Sequence, residues 1–208
     1  TYARNSEGKL QPGRRYVGVM GTGYGTLTKT QIRAYTTLLQ APMLFPEAER
    51  DAWWTLLSFF NSLNDLGNAL SLWQLDIPVY QRAMKLRDAL DKDAVRYLNE
   101  PLELTSRLRN DEVPRALAAL ETSYDKGKGV IDTCLASNII EVGIDVDRLA
   151  LMTVAGQPKT TAQYIQVTGR VGRRWADRPG LVVTLYNPLR PRDRSHYEHF
   201  RSYHQRLY

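Results

Sequence analysis

Gln166-Val-Thr-Gly-Arg-Val-Gly-Arg-Arg174 sets three arginines and two glycines close together, a pattern that packing alone does not explain. Glycine is costly inside a helix, so Gly169 and Gly172 suggest a helix end lying close to something else. Arg170 and Arg173, three apart, are expected to project from the same side. Two guanidinium groups held on a tight backbone suit a triphosphate, whose charge shifts during cleavage. A basic helix end complementing its own dipole would account for the arginines but not for the glycines.

On the N-terminal side stands Ala136-Ser-Asn-Ile-Ile-Glu-Val-Gly-Ile-Asp145, beginning where an apolar strand over residues 130–136 ends. Further strands are expected over residues 16–20, 53–60, 102–104, 149–155 and 181–186. Helical spacing covers about 29–39, 61–73, 81–90, 111–120 and 161–169, with Pro78 as an interruption and an arginine-rich helix from about Asp193. Strands alternating with helices predict an α/β fold with a mostly parallel sheet and helices on both faces. Near-continuous apolar strands agree with a sheet covered on both sides. In such sheets ligands gather at the C-terminal ends of strands.

The two segments together resemble motifs V and VI of superfamily 2 helicases, A-[ST]-x-x-x-x-x-G-x-D and Q-x-x-G-R-x-G-R, in that order. Residues 53–62 resemble motif IV, and Ser106-Arg107 sits where a minor nucleic-acid-contacting motif lies. Residues 156–173, 179–187 and 190–204 look like the DISARM-type phage-defence helicases of the DrmA group. The resemblance implies a second RecA-like domain of the P-loop NTPase type without a working Walker A loop. Residues 51–208 would form it, with residues 1–50 leading in.

By the same resemblance, Arg170 and Arg173 would be arginine fingers toward the γ-phosphate of ATP. Gln166 would position the phosphate or the attacking water. Gly143, Asp145 and Gly169 would line the nucleotide side, Asp145 near the ribose or an arginine. Ser62, Arg107, Ser137 and Asn138 would contact the nucleic-acid backbone, single- or double-stranded DNA, with RNA not excluded. Mg²⁺ would be held mainly by a first RecA domain of the same protein, and other defence proteins would be partners. Either serine could equally be a local cap, and Asp145 a turn acid.

Gly21 to Thr30 follows a strand and leads into a helix, as a Walker A loop would. It fits G-x-x-x-x-G-K-[ST] at Gly23, Lys29 and Thr30 but has Thr28 where glycine is needed. A small P-loop kinase is therefore the weaker alternative, beside a RecA-like binding module that has lost its motor.

Charge supports phosphate recognition by position rather than total. Of the net +6, residues 1–150 contribute 18 Lys and Arg against 19 Asp and Glu, and residues 151–208 contribute 10 against 3. The single cysteine, Cys134, excludes an internal disulfide framework and a cysteine-cluster zinc site. His196, His199 and His204 share one helix without converging as metal ligands, and Tyr197, Phe200 and Tyr203 are spaced to pack on the sheet. No apolar run approaches the ~20 residues that cross a bilayer. A cytoplasmic protein with no membrane partner is expected, and the opening Thr1 suggests a piece of a longer chain.

Overall fold

The computed structural model describes residues 6–9, 13–24, 26–125, 129–137, 145–174 and 179–207. Within them β1 (Arg15–Met20), β2 (Leu56–Phe60), β3 (Leu102–Leu104), β4 (Thr133–Ala136), β5 (Leu151–Ala155) and β6 (Leu181–Tyr186) form one sheet. The strand order is β1-β6-β5-β2-β4-β3, and every neighbouring pair is parallel. Between the strands run α1 (Leu27–Gln40), α2 (Asp51–Trp54), α3 (Leu63–Ser71), α4 (Ile77–Arg87), α5 (Glu112–Glu121) and α6 (Thr161–Thr168). α7 (Pro191–Glu198) and α8 (Phe200–Gln205) close the chain.

Side chains alternate across a strand, so an all-apolar strand buries both its faces. β2 illustrates this: Leu56 and Phe60 meet Tyr35 and Leu39 of α1 and Leu66 and Ala69 of α3. Leu57 and Phe59 meet Ala116 and Leu120 of α5 and Val167 of α6 on the opposite face. Each such side chain contributes roughly 1.5–3 kcal/mol by leaving water. α7 and α8 lie over β1 and β6, where Phe200 occupies the space above Gly18; a Cβ there would come within 2.8 Å of its ring. Tyr197 and Tyr203 pack against Tyr186 and Tyr164, as their spacing predicts.

Several boundaries differ from expectation. Trp53 and Trp54 belong to α2, and the strand begins only at Leu56. β2 lies between β4 and β5, so the Trp54 indole stands outside the ladder and donates its N–H to Asp132 at 3.0 Å. β4 and β5 are shorter than residues 130–136 and 149–155, because Asp132 and Ala150 bond neighbouring segments as strand approaches. Pro78 does not break the chain into separate helices. Leu72–Asp76 forms a wider π turn in which the Ile77 N–H reaches Leu72 O, and Pro78 sits in the first turn of α4, where no N–H is required. The closing segment is two helices, bent at His199, rather than one.

A buried ion pair pins the connection from α4 to β3. Arg96 meets Asp132 at 2.6 Å, with both side chains at most 3% exposed, and its guanidinium stacks over Trp54. The second Asp132 oxygen accepts the backbone and side-chain N–H groups of Asn99. Both terminal nitrogens of Arg96 and both Asp132 oxygens are hydrogen-bonded, which offsets the cost of placing the charges in a core, while Arg96 Nε is left against the Trp54 ring without a hydrogen-bond partner among the described residues. Cys134 is buried in β4, and burial pushes its thiol far above the range in which a thiolate forms.

Candidate functional site

The chain leaves β5 at the C-terminal edge of the sheet, returns through α6, and re-enters at β6. Residues 169–174 therefore lie at the N-terminal edge, opposite the place where ligands were expected. α6 is capped by the Thr160 hydroxyl, which accepts the Gln163 N–H at 3.1 Å, and ends at Thr168, before the arginines. Gly169 closes the helix by donating to Ile165 O at 2.9 Å. Val171 then inserts fully into the core, and Gly172 adopts φ +63°, donating to Leu149 O at 2.8 Å. A Cβ on Gly172 would lie 2.6 Å from the Gly180 backbone, so two glycines let two chain segments touch.

Arg14 completes this anchorage, donating Nε to Val171 O at 2.7 Å and a terminal nitrogen to Gly169 O at 3.2 Å. The turn thus has its backbone held from three sides while Arg170 and Arg173 remain half-buried at its surface. Arg173 forms an ion pair with Asp145, the acid that ends the motif V segment. Gln166 is exposed on the last turn of α6, one helical turn before Arg170. Arg170, Arg173, Gly169 and Asp145 are thereby brought to one edge. Gly143 and Asn138 lie outside the described residues.

Ser62, Arg107 and Ser137 follow β2, β3 and β4, three neighbouring strands, at the opposite edge. Ser62 and Arg107 are exposed, whereas Ser137 is buried at 4% exposure and its N–H bonds Leu104 O. Ser62 caps α3: its hydroxyl accepts the Asp65 N–H at 3.1 Å and donates to the Asp65 carboxylate. Ser62→Ala is accordingly expected to cost about 1 kcal/mol of stability in urea unfolding. An unchanged midpoint would remove Ser62 from the capping role.

Beside Ser62, Asn61 donates to Ala155 O and Gly156 O at 3.0 and 3.2 Å, and Arg190 meets Asp65 at 3.1 Å. Asp193, only 2% exposed, accepts the N–H groups of Gln157 and Asn187. Sequence reading missed Arg14, Gly180, Asn61, Arg190 and Asp193. Each meets a group distant in sequence, and nothing local to it marks which segment that is.

The described residues of the Gly21–Thr30 segment, all but Gly25, do not show the features of a phosphate cradle. Residues 22–24 form a short 3₁₀ turn, and Thr30, whose hydroxyl would face Mg²⁺ in a P-loop, is buried at 5% exposure. Among the described residues no group of three or more His, Cys, Asp or Glu could hold a metal ion. Among them, too, no helix is long and apolar enough to cross a membrane.

Comparison with known proteins agrees with this architecture. Residues 89–174 match the model of the helicase conserved C-terminal domain. The chain is 44% identical to the DISARM protein DrmA of Bacillus paralicheniformis over 95% of its own length, and spans 17% of that relative. It is 32% identical to the DEAD-box ATP-dependent RNA helicase CshC of Bacillus cereus over 49% of its length and 28% of the relative's. Among solved structures, it resembles the Mycobacterium smegmatis helicase Lhr bound to ssDNA and AMP-PNP, with TM-score 0.52 and 13% identity, covering 83% of this chain and 19% of that one. Domain 2 of the DEAD-box helicase Mss116p, bound to an RNA duplex, aligns with TM-score 0.50 and 15% identity over 81% of this chain and 52% of that one. The chain thus has the fold of a RecA-like helicase C-terminal domain, matches that domain's model over residues 89–174, and is related to DrmA over nearly its whole length.

Proposed function

We propose that this chain is the second motor domain of an ATP-dependent helicase or translocase that acts on DNA in phage defence, with Arg170 and Arg173 as its arginine fingers. The observation that carries this reading is the anchored turn at residues 169–174. Its backbone is fixed by Arg14, Leu149 and Gly180, so the turn itself needs little reorganisation, and Arg173 would turn from its ion pair with Asp145 to meet developing charge. The edge offers cationic donors and, among the described residues, no metal-binding cluster, which fits a role toward the γ-phosphate rather than toward Mg²⁺. ATP would supply the free energy of movement, held with Mg²⁺ by a first RecA-like domain.

Gln166 would orient the phosphate or water from the last turn of α6. Gly169 would leave room beside the nucleotide, together with Gly143, and Asp145 would couple the nucleotide to Arg173 through their ion pair. At the other edge, exposed Arg107 would bond backbone phosphates, joined by Ser62 once its hydroxyl hydrogen turns from the Asp65 carboxylate, positioning a strand without reading its sequence. Asn138 would continue that row, with buried Ser137 holding the chain beneath it through its N–H bond to Leu104 O. The protein would work in the cytoplasm, where DNA and ATP meet, beside other defence proteins.

ATP turnover tests the reading directly. The full-length protein is expected to hydrolyse ATP faster when DNA is added, and the 208-residue chain alone is expected to give no turnover above background. Hydrolysis by the isolated chain would overturn the two-domain motor. So would a full-length protein that binds DNA and never hydrolyses ATP, which would leave a RecA-like binding module.

A further inference from the structure

Resting on the motor reading above, we infer that one face of the α7–α8 bend is a second docking surface for the phosphate backbone of nucleic acid. Arg192, Ser195, His196, His199, Ser202 and Arg206 recur at helical spacing and form a stripe across the bend. All but Arg192 line a shallow hollow of about 230 Å³, and no acidic side chain lines it. The Ser202 hydroxyl donates to His199 O at 3.0 Å and His199 Nδ1 lies 2.9 Å from Ser195 O, so the guanidinium groups of Arg192 and Arg206 are the donors that carry recognition of phosphate oxygens here.

Two observations separate this surface from an ordinary solvated helix face. The first is the placement of charge. Arg192 and Arg194 stand in the first turns of α7, where the helix dipole disfavours cations by roughly 0.3–1 kcal/mol each. Local stability does not call for them there. Of the two acids of α7, Asp193 is turned inward and occupied by two backbone N–H groups, and Glu198, at the far end, stands four residues from Arg194 and six from Arg192.

The second is continuity. Arg190, immediately before α7, pairs with Asp65, and Asp65 bonds the hydroxyl of Ser62. The stripe therefore begins beside the strand-end row of Ser62, Ser137 and Arg107 and extends it over the β1–β6 side of the sheet. A nucleic acid crossing the C-terminal edge would reach Arg192 next and Arg206 last.

Salt dependence of binding by the full-length protein tests this surface. A labelled single strand and a duplex of mixed sequence serve as probes, read by fluorescence anisotropy beside DNA-stimulated ATP turnover. Each lost phosphate contact lowers the slope of log K against log salt by about 1, so Arg192→Ala with Arg206→Ala should lower it by about 2. Arg192→Lys with Arg206→Lys should restore most of the slope, because the charge remains. Arg115→Ala, an exposed arginine of α5 near β3, should leave it unchanged. If the double alanine variant keeps the parental slope while DNA still stimulates turnover, the α7–α8 surface is wrong and the motor reading stands. If the parental protein neither binds DNA nor responds to it, both fall together.

Discussion

Arg173→Ala in the full-length protein is expected to lower ATP turnover by roughly 10³-fold or more, with nucleic-acid binding nearly unchanged. An arginine finger contributes about that much to phosphoryl transfer, because it meets charge that appears on the phosphoryl oxygens only as the bond breaks. The cost to folding should be small. Arg173 pairs with Asp145, whose side chain is 67% exposed, so removing the guanidinium leaves a carboxylate that water can solvate. Exposed pairs of this kind contribute about 0–1 kcal/mol. Catalysis and stability are therefore separable at this position.

The companion variants sharpen the test. Arg173→Lys should not rescue turnover, since an ammonium retains the charge without the planar fork. Arg170→Ala should behave like Arg173→Ala, and the double variant should fall far short of the sum if both side chains clasp one phosphate. Arg174→Ala, outside the matched motif positions, should keep most of the turnover. Parental hydrolysis by Arg173→Ala would remove the finger from this mechanism.

What the sequence makes legible here is whatever is local or periodic. The apolar runs at β2, β5 and β6 could only be buried on both faces, and α1, α5 and α6 carry their helical spacing openly. Of the two glycines beside Arg170 and Arg173, Gly172 marks a close approach to another segment, whereas a Cβ on Gly169 would meet only carbonyls of its own helix. The partner in that approach, Gly180, was not identifiable, since any turn before a strand can contain glycine. Arg14 was equally hidden: its hydrogen bonds join carbonyls more than a hundred and fifty residues away, and nothing beside it in sequence reflects them. Trp53 and Trp54 misled for a different reason. Their apolar character suits a strand, but the central position of β2 and the need of the Trp54 N–H for Asp132 placed them before the ladder.

The edge on which the arginines lie was not legible either. Ser62, Arg107 and Ser137 follow strands and so stand at the C-terminal edge, where a parallel sheet gathers its ligands, whereas the Arg170–Arg173 turn lies at the opposite edge. That preference concerns ligands that a parallel sheet binds within its own crevice. A residue offered to a nucleotide held by another domain is not bound by it, and can lie on whichever edge faces that neighbour. An α/β domain with anchored, half-buried arginines at its N-terminal edge is consequently a candidate for acting on a ligand held elsewhere.

Gly172→Ala is expected to destabilise the domain by about 2–5 kcal/mol and to carry turnover down with it. The backbone at Gly172 has φ +63°, where an L side chain costs roughly 1–2 kcal/mol. Its added Cβ would also lie 2.6 Å from both the Cα and the N of Gly180, atoms of a main chain that cannot rotate aside. Overpacking of this kind costs typically 1–3 kcal/mol more. Gly180→Ala provides the comparison: its Cβ would meet Gly172 at 3.0 and 3.2 Å, and it carries no positive-φ penalty. Urea unfolding should therefore rank Gly172→Ala as clearly the more damaging of the two. At temperatures where both variants remain folded, each should still lose turnover out of proportion to its stability, because the turn that aims Arg170 and Arg173 has been pushed away from β6. Equal stability of the two alanine variants would show that φ strain at Gly172 is relieved by the turn moving. Parental turnover in both would mean that the Gly172–Gly180 contact supports the fold without aligning the arginines.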